Sequence, residues 1–262
     1  MNYKIISMDF DGTLLTSNKK VTNKTQNTIL KYKNNSYIIV GVTARNLSSV
    51  KLVININMFD FLIINNGAYI YDVKNNKTTC LNSFNEEITR KITDCFKNIA
   101  ARIDYCTLSY YYNYINKAKD SRDFIIKIDN IDKISEPISR INIFLKNNED
   151  IIRYKEFINN NFTDLDAYIM QDTDQKNNIK WISLNLKKVN KFEALKFLCN
   201  KLNVPTEHVI FFGDNENDLT IINGVGLGVA MENAIDEVKK QAKAVTLSNN
   251  DDGIANFLEN NL

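Results

Sequence analysis

Histidine occurs once in this chain of 262 residues, tryptophan once, proline twice and glycine eight times. The single histidine is His208, and the four cysteines (Cys80, Cys95, Cys106 and Cys199) contain no C-x-x-C pair, which argues against a zinc site. The same spacing suggests no disulfide framework and reads as reduced thiols in a cytosolic setting. No apolar run approaches about 18 residues, so no membrane span is expected. The first apolar stretch breaks at Asp9, too early for a secretory leader. An excess of one charge is also missing. The 33 basic and 31 acidic residues leave a net charge of +2, and no electrostatic footprint for nucleic acid follows. The abundance of Lys and Asn is compositional bias.

What is present is globular. Hydrophobic residues make up 44% of the chain and charged residues 24%, and the length suits one large domain or two ordinary ones. The first third alternates strand and helix. Strands are expected at 3–8, 37–42 and 61–64, helices at 22–33 (Thr22 as N-cap) and 46–54, and a hairpin at 69–72 and 78–82. After about residue 187 the rhythm returns: helix 191–203, strand 209–212, helix 216–222, strand 225–229, helix 234–240, strand 244–246 and helix 251–260. This alternation predicts an α/β fold with a doubly wound parallel sheet. The middle third differs. Helices are expected at 86–100, 118–126 and 148–160, and strands at 105–108, 110–115, 139–145, 166–170 and 179–184. Several of these strands lack an intervening helix, which fits an α+β unit with an antiparallel sheet. The expected organisation is a discontinuous core, 1–82 with 187–262, and an inserted domain, 83–186.

Two acidic clusters stand out. The apolar strand Ile5–Met8 ends in Asp9-Phe10-Asp11-Gly12-Thr13, and Val209–Phe212 ends in Gly213-Asp214-Asn215-Glu216-Asn217-Asp218. Open α/β sheets bind ligands at the carboxyl ends of their strands. Two such clusters 205 residues apart therefore point to one metal site assembled by folding.

With Thr43 closing the second strand and Lys191 opening a later helix, these motifs resemble the haloacid dehalogenase superfamily, and within it the Cof-type phosphatases with a type IIB α/β cap. Asn66-Gly67-Ala68, Val229–Ala234 and Asp252-Gly253-Ile254-Ala255 are similar to the same subfamily. Two positions depart from its pattern. Ala44 and Phe192 stand where the family usually has glycine.

The resemblance implies hydrolysis of a small phosphorylated metabolite. At 4 Å and an effective dielectric near 20, a carboxylate meeting a phosphate dianion is repelled by roughly 8 kcal/mol, so a cation is needed. Asp9 and Asp214 offer hard oxygens suited to Mg²⁺, and the backbone carbonyl of Asp11 is a further implied ligand. Asp9 would be the nucleophile and Asp11 the general acid and then base. Thr43, Lys191 and Asn217 would bind or orient the phosphate, and Asp218 would act behind them, holding a metal water or Lys191. Cap closure, hinged near 82–85 and 185–189, would exclude water.

Several readings stay open at this level. Arg45 is either a solvated helix residue or a contact to the cap. Tyr110–Tyr114 reads as a strand with one core face and one half-exposed face. His208 is expected on the surface and Trp181 in the connection between domains. A phosphotransferase such as a phosphosugar mutase, and a non-enzymatic phosphometabolite-binding protein, are the alternative functions. Nothing in the sequence bears on oligomeric state.

Overall fold

The computed structural model describes residues 3–114, 123–171, 179–187 and 189–262. By its internal contacts the chain divides into two units. One comprises Met1–Arg45, Val50–Leu81 and Asn190–Leu262, and the other Asn46–Ser49 with Asn82–Val189.

The first unit is built on an eight-stranded sheet. In chain order it contains β1 (Ile5–Asp9), α1 (Asn23–Asn34), β2 (Ile38–Val42), α2 (Leu47–Val53, whose first turn groups with the second unit), β3 (Phe61–Ile64), β4 (Tyr69–Asp72) and β5 (Lys77–Cys80). Thr22 caps α1 as expected, accepting a hydrogen bond from the Thr25 amide at 3.1 Å. The second unit supplies α3 (Glu86–Phe96), β6 (Ala100–Cys106), β7 (Tyr111–Tyr114), β8 (Ile125–Ile128), β9 (Arg140–Leu145), α4 (Ile151–Asn161), β10 (Leu165–Gln171) and β11 (Lys180–Leu186). The chain then completes the first unit with α5 (Lys191–Lys201), β12 (Val209–Gly213), α6 (Leu219–Gly224), β13 (Leu227–Ala230), α7 (Asp236–Gln241), β14 (Ala244–Val245) and α8 (Gly253–Asn261).

Strand order in the larger sheet is β14-β13-β12-β1-β2-β3-β4-β5. Pairing is parallel from β14 to β3 and antiparallel from β3 to β5. Every residue of β1 and β12 is buried, as befits central strands covered on both faces. They pair in register, Ile5 with Val209 through Met8 with Phe212, and the buried Ser7 hydroxyl donates to the Ile210 carbonyl at 2.8 Å. From β1 the order runs outward through β2 and β3 on one side and through β12, β13 and β14 on the other. The reversal of strand order therefore falls between β1 and β12, and both strands end there in an acidic turn.

The smaller sheet has the order β10-β11-β9-β6-β7-β8, antiparallel except for the β7–β8 pair. Its core face packs Ile103, Tyr105, Ile141, Ile143, Ile182 and Leu184 with Ile92 and Phe96 of α3 and Ile151 and Ile158 of α4.

Four expectations need correction. Helix α3 stops at Phe96, and Ala100–Cys106 is strand, because Ile103 and Tyr105 alternate into the core and pair with β9. The helix expected at 118–126 lies partly outside the described residues. Its described end, Ile125 and Ile126, belongs to β8, where β-branched side chains suit a pleated surface. Trp181 is a β11 residue stacked on Phe144 (ring centroids 5.4 Å apart). His208 is half-buried just before β12.

One turn fixes the start of α5. Asn66 (φ 56°) and Gly67 (φ 101°) are both left-handed, and a Cβ on Gly67 would lie 2.3 Å from the Asn190 carbonyl oxygen. Asn190 in turn caps α5 by accepting from the Glu193 amide at 2.9 Å. Gly67→Ala is expected to lower stability by about 2–4 kcal/mol, from backbone strain plus the clash. Equilibrium denaturation of wild type and variant checks this, and unchanged stability would contradict the packing.

Candidate active site

The carboxyl ends of β1 and β12 place three carboxylates together. One oxygen each from Asp9, Asp214 and Asp218 lies within 4.8 Å of the others. Asp9 is the last residue of β1, and Asp214 follows β12 directly. Asp218 closes the short 3-10 turn Glu216–Asp218, where its Oδ2 accepts from the amides of Asp214 (3.1 Å) and Asn215 (3.3 Å). Its Oδ1 accepts from Lys191 Nζ at 2.7 Å. Lys191 also donates to Asp9 Oδ1 at 2.6 Å. Both oxygens of Asp218 are thus engaged, and Asp218 acts as an anchor for the lysine and for the turn. Thr13 donates its hydroxyl to Asp214 Oδ1 at 2.9 Å. Gly12 (φ 82°) lies so close that a Cβ there would sit 2.2 Å from Asp214 Oδ2. The glycine after Asp11 is a geometric condition for bringing the two acidic turns together.

A positive charge in the first turn of a helix opposes the helix dipole. Lys191 is nevertheless 3% exposed at the first position of α5, held there by two carboxylates. Burial by itself would lower its pKa, but Asp9 and Asp218 reverse that and raise it. Burial pushes Asp9 up to about 8 against the pull of Lys191, with Asp218 and Asp214 adding repulsion. Asp214 is pushed up to about 6, first by burial and then by Asp218, with the Thr13 hydrogen bond opposing. An ammonium within 2.7 Å of two carboxylates has the geometry of a charged lysine. With all three carboxylates ionised, one ammonium would leave two negative charges uncompensated, and burial together with that excess is what pushes Asp9 and Asp214 up.

A divalent cation fits that imbalance. The donors are carboxylate oxygens, with no imidazole or thiolate in the cluster, which suits Mg²⁺. Lys191 takes Asp9 Oδ1 and Thr13 takes Asp214 Oδ1, so the second oxygen of each is the one suited to a metal.

Asp11 stands differently. Its carboxylate is gripped by Arg45, with Nε donating to Oδ2 and Nη2 to Oδ1, both at 2.7 Å, and by Lys19 Nζ at 2.7 Å. Burial would raise its pKa, but these cationic hydrogen bonds more than offset it and hold it at about 2. Arg45, which the sequence left undecided, is therefore Asp11's partner. Thr43 follows the register pair Asp9–Val42 and is buried. It is fixed by the Ile63 carbonyl, which accepts its amide proton at 2.8 Å, and its own Oγ1 accepts from the Arg45 amide at 3.2 Å.

Asn217 is the predicted residue that the structure leaves outside the cluster. It is exposed on the 3-10 turn whose next residue, Asp218, points inward, and among the described residues its side chain makes no hydrogen bond to Asp9, Asp214 or Lys191. Sequence reasoning missed Thr13, Lys19 and the Arg45–Asp11 pairing. Thr13 lay in the quoted motif without a role, and Lys19 has no signal of its own, since its left-handed backbone (φ 57°) is what turns it back toward Asp11.

A largely parallel sheet with an acid cluster at its reversal point is an α/β core with its candidate site where open α/β sheets bind ligands. The family model for haloacid dehalogenase-like hydrolases matches residues 6–258, and the chain belongs to that family. A protein of Haemophilus influenzae named as a phosphatase without a stated substrate is 28% identical over 269 residues, covering 99% of this chain and 98% of that one. The 5-amino-6-(5-phospho-D-ribitylamino)uracil phosphatase YitU of Bacillus subtilis is 25% identical over 264 residues, with coverage of 97% and 96%. A crystal structure of a Thermotoga maritima protein superposes with a TM-score of 0.81 at 26% identity, covering 98% of this chain and 97% of that one.

Lys191→Met leaves Asp9 and Asp218 facing each other without their shared cation. Without divalent ions it is expected to lose about 3–5 kcal/mol of stability. Millimolar Mg²⁺ is expected to raise the melting temperature of the variant more than that of wild type. Thermal unfolding with chelator and with Mg²⁺ checks this, and equal shifts would contradict a shared charge balance.

Proposed function

We propose that the protein is a Mg²⁺-dependent phosphatase of small phosphorylated metabolites, working through a phosphoryl group carried on Asp9. The observation that carries this reading is the convergence of Asp9, Asp214, Asp218 and Lys191 at the ends of β1 and β12. Asp9, Asp214 and the Asp11 carbonyl would hold the metal, which when bound offsets the repulsion between carboxylate and phosphate.

An Asp9 oxygen attacks phosphorus, and the bond from phosphorus to the leaving oxygen breaks. Asp11 protonates that oxygen as it departs. Water then loses a proton to Asp11 and attacks phosphorus, releasing inorganic phosphate and restoring Asp9. Lys191 lies 2.6 Å from Asp9 and supplies positive charge to the phosphoryl group during transfer. Thr43, at the adjacent strand end, donates its hydroxyl to a phosphate oxygen.

Arg45 and Lys19 favour the ionised form of Asp11, the form that accepts a proton from water. Acting first as an acid requires Arg45 and Lys19 to release it, and an incoming phosphate dianion is the natural competitor for both cations. The second unit carries the choice of leaving group. The ribityl phosphate named as YitU's substrate illustrates the size and polarity of such a compound.

Phosphate release from p-nitrophenyl phosphate tests the reading. Turnover is expected with Mg²⁺ and not with chelator, and Asp9→Asn is expected to remove at least about 10³-fold of it, since a missing nucleophile is not replaced by its neighbours. Undiminished activity in Asp9→Asn would overturn the assignment.

A further inference from the structure

The segment that joins β13 to α7, residues 231–235, touches both acidic turns of the larger sheet. The Met231 amide donates to the Gly213 carbonyl at 3.1 Å, and the Ile235 amide donates to the Asp214 carbonyl at 3.0 Å. Between them the Asn233 side chain reaches the other turn, where its Nδ2 donates to the Gly12 carbonyl at 2.7 Å. One short segment thus grips the backbone after β1 and the backbone after β12 together. Any residue but proline can supply the two amide bonds. The third bond needs a side-chain donor of the right reach.

Asn233 is itself held in place. Its Oδ1 accepts from the Asn249 amide at 2.9 Å. A donor faces one end of the Asn233 amide and an acceptor the other, so only one orientation fits. Asn249, in the loop before α8, also donates Nδ2 to the Leu15 carbonyl at 2.8 Å. The residue that Asn233 grips is the pliable one of its turn. Gly12 has a φ of 82°, and a glycine backbone resists distortion less than any other. Its neighbours are Asp11 and Thr13, and Thr13 bonds Asp214 at 2.9 Å.

We propose that Asn233 is a positioning residue of the metal site, setting the Asp11–Gly12 backbone against the Asp214 turn. The inference rests on the metal part of the proposed function, in which Asp9, Asp214 and the Asp11 carbonyl hold the ion. Those donors come from two separate turns. Mg²⁺ accepts little departure from octahedral geometry, so the spacing of the turns bears directly on affinity. Groups that orient metal ligands from behind change affinity 10–100-fold when they are lost. Asn233 works in that way, through the Gly12 carbonyl. It is exposed, so water takes its place when it is removed, and the fold loses little.

The test measures metal binding by the full-length protein without substrate. Mn²⁺, which the same oxygen donors accept, is titrated into chelator-treated protein and followed by electron paramagnetic resonance, with release by excess Mg²⁺. Asn233→Ala is expected to weaken binding about tenfold. Its melting temperature without metal is expected to fall by no more than about 3 °C, the shift for one exposed neutral hydrogen bond in a chain of this length. Asn250→Ala is the comparison. Asn250 is also exposed and follows Asn249, but its side chain bonds Ser17 and neither acidic turn. Its affinity is expected to stay within about twofold of wild type. Unchanged affinity in Asn233→Ala, with or without a lower melting temperature, would overturn the inference, as would equal losses in both variants. If Asn233→Ala does not fold, Asn233→Ser, whose hydroxyl is too short to reach both partners, makes the same comparison. Absence of Mg²⁺-displaceable binding in wild type overturns the metal reading and this inference together. Wild-type binding with an unmoved Asn233 variant overturns this inference alone.

Discussion

A lysine ammonium buried between two carboxylates organises the acidic edge of the larger sheet. Lys191 reaches Asp9 at 2.6 Å and Asp218 at 2.7 Å, so a single cation ties the last residue of β1 to the turn after β12 and to the first turn of α5. Each of these elements has a reason to be elsewhere without it. A lysine opposes the dipole of the helix it begins, and two carboxylates repel in a dry pocket. Their mutual neutralisation makes each position tenable, and the remaining negative charge is what a divalent ion would complete.

Around that pair the side chains divide their work by how many of their oxygens are already taken. Asp218 spends both on Lys191 and on two backbone amides, and therefore fixes geometry. Asp9 and Asp214 each give one oxygen to a neighbour, Lys191 and Thr13 respectively. Asp11, two residues from Asp9, belongs to a separate balance with Arg45 and Lys19 that holds it ionised. Two carboxylates on one turn thus lie in opposite electrostatic surroundings, one raised and one lowered, the pattern that lets neighbouring acids take different chemical parts.

Much of this was legible in the chain. Apolar runs ending in acids located β1, β12 and their carboxyl edges, because a strand buried on both faces cannot hide its sequence signature. Thr22 and the Asn66-Gly67 turn were readable because capping and left-handed geometry restrict residue choice. Lys191 could be picked out because its charge is misplaced for a helix start. What sequence could not give were relations set by tertiary direction. Asn217 and Asp218 are adjacent, and only the 3-10 turn decides which one faces the acid cluster. Arg45 and Asp11 are 34 residues apart with no pattern linking them. The second sheet was harder still. Ile125–Ile128 and Ala100–Cys106 carry apolar patterns short enough for either helix or strand, and cross-strand pairing decided them.

The partnership of β1 with β12 also sets an order of events during synthesis. Ile5 pairs with Val209, so a central strand of the larger sheet waits for about four-fifths of the polypeptide to be made before it gains one of its two neighbours. At typical translation speeds of about 5–20 residues per second that delay is on the order of ten to forty seconds. During it the intervening unit, continuous apart from Asn46–Ser49, emerges complete from the ribosome. The nascent chain therefore holds an apolar strand tipped with Asp9 that has neither Lys191 nor β12 available, and the acid cluster is among the last parts of the molecule to exist.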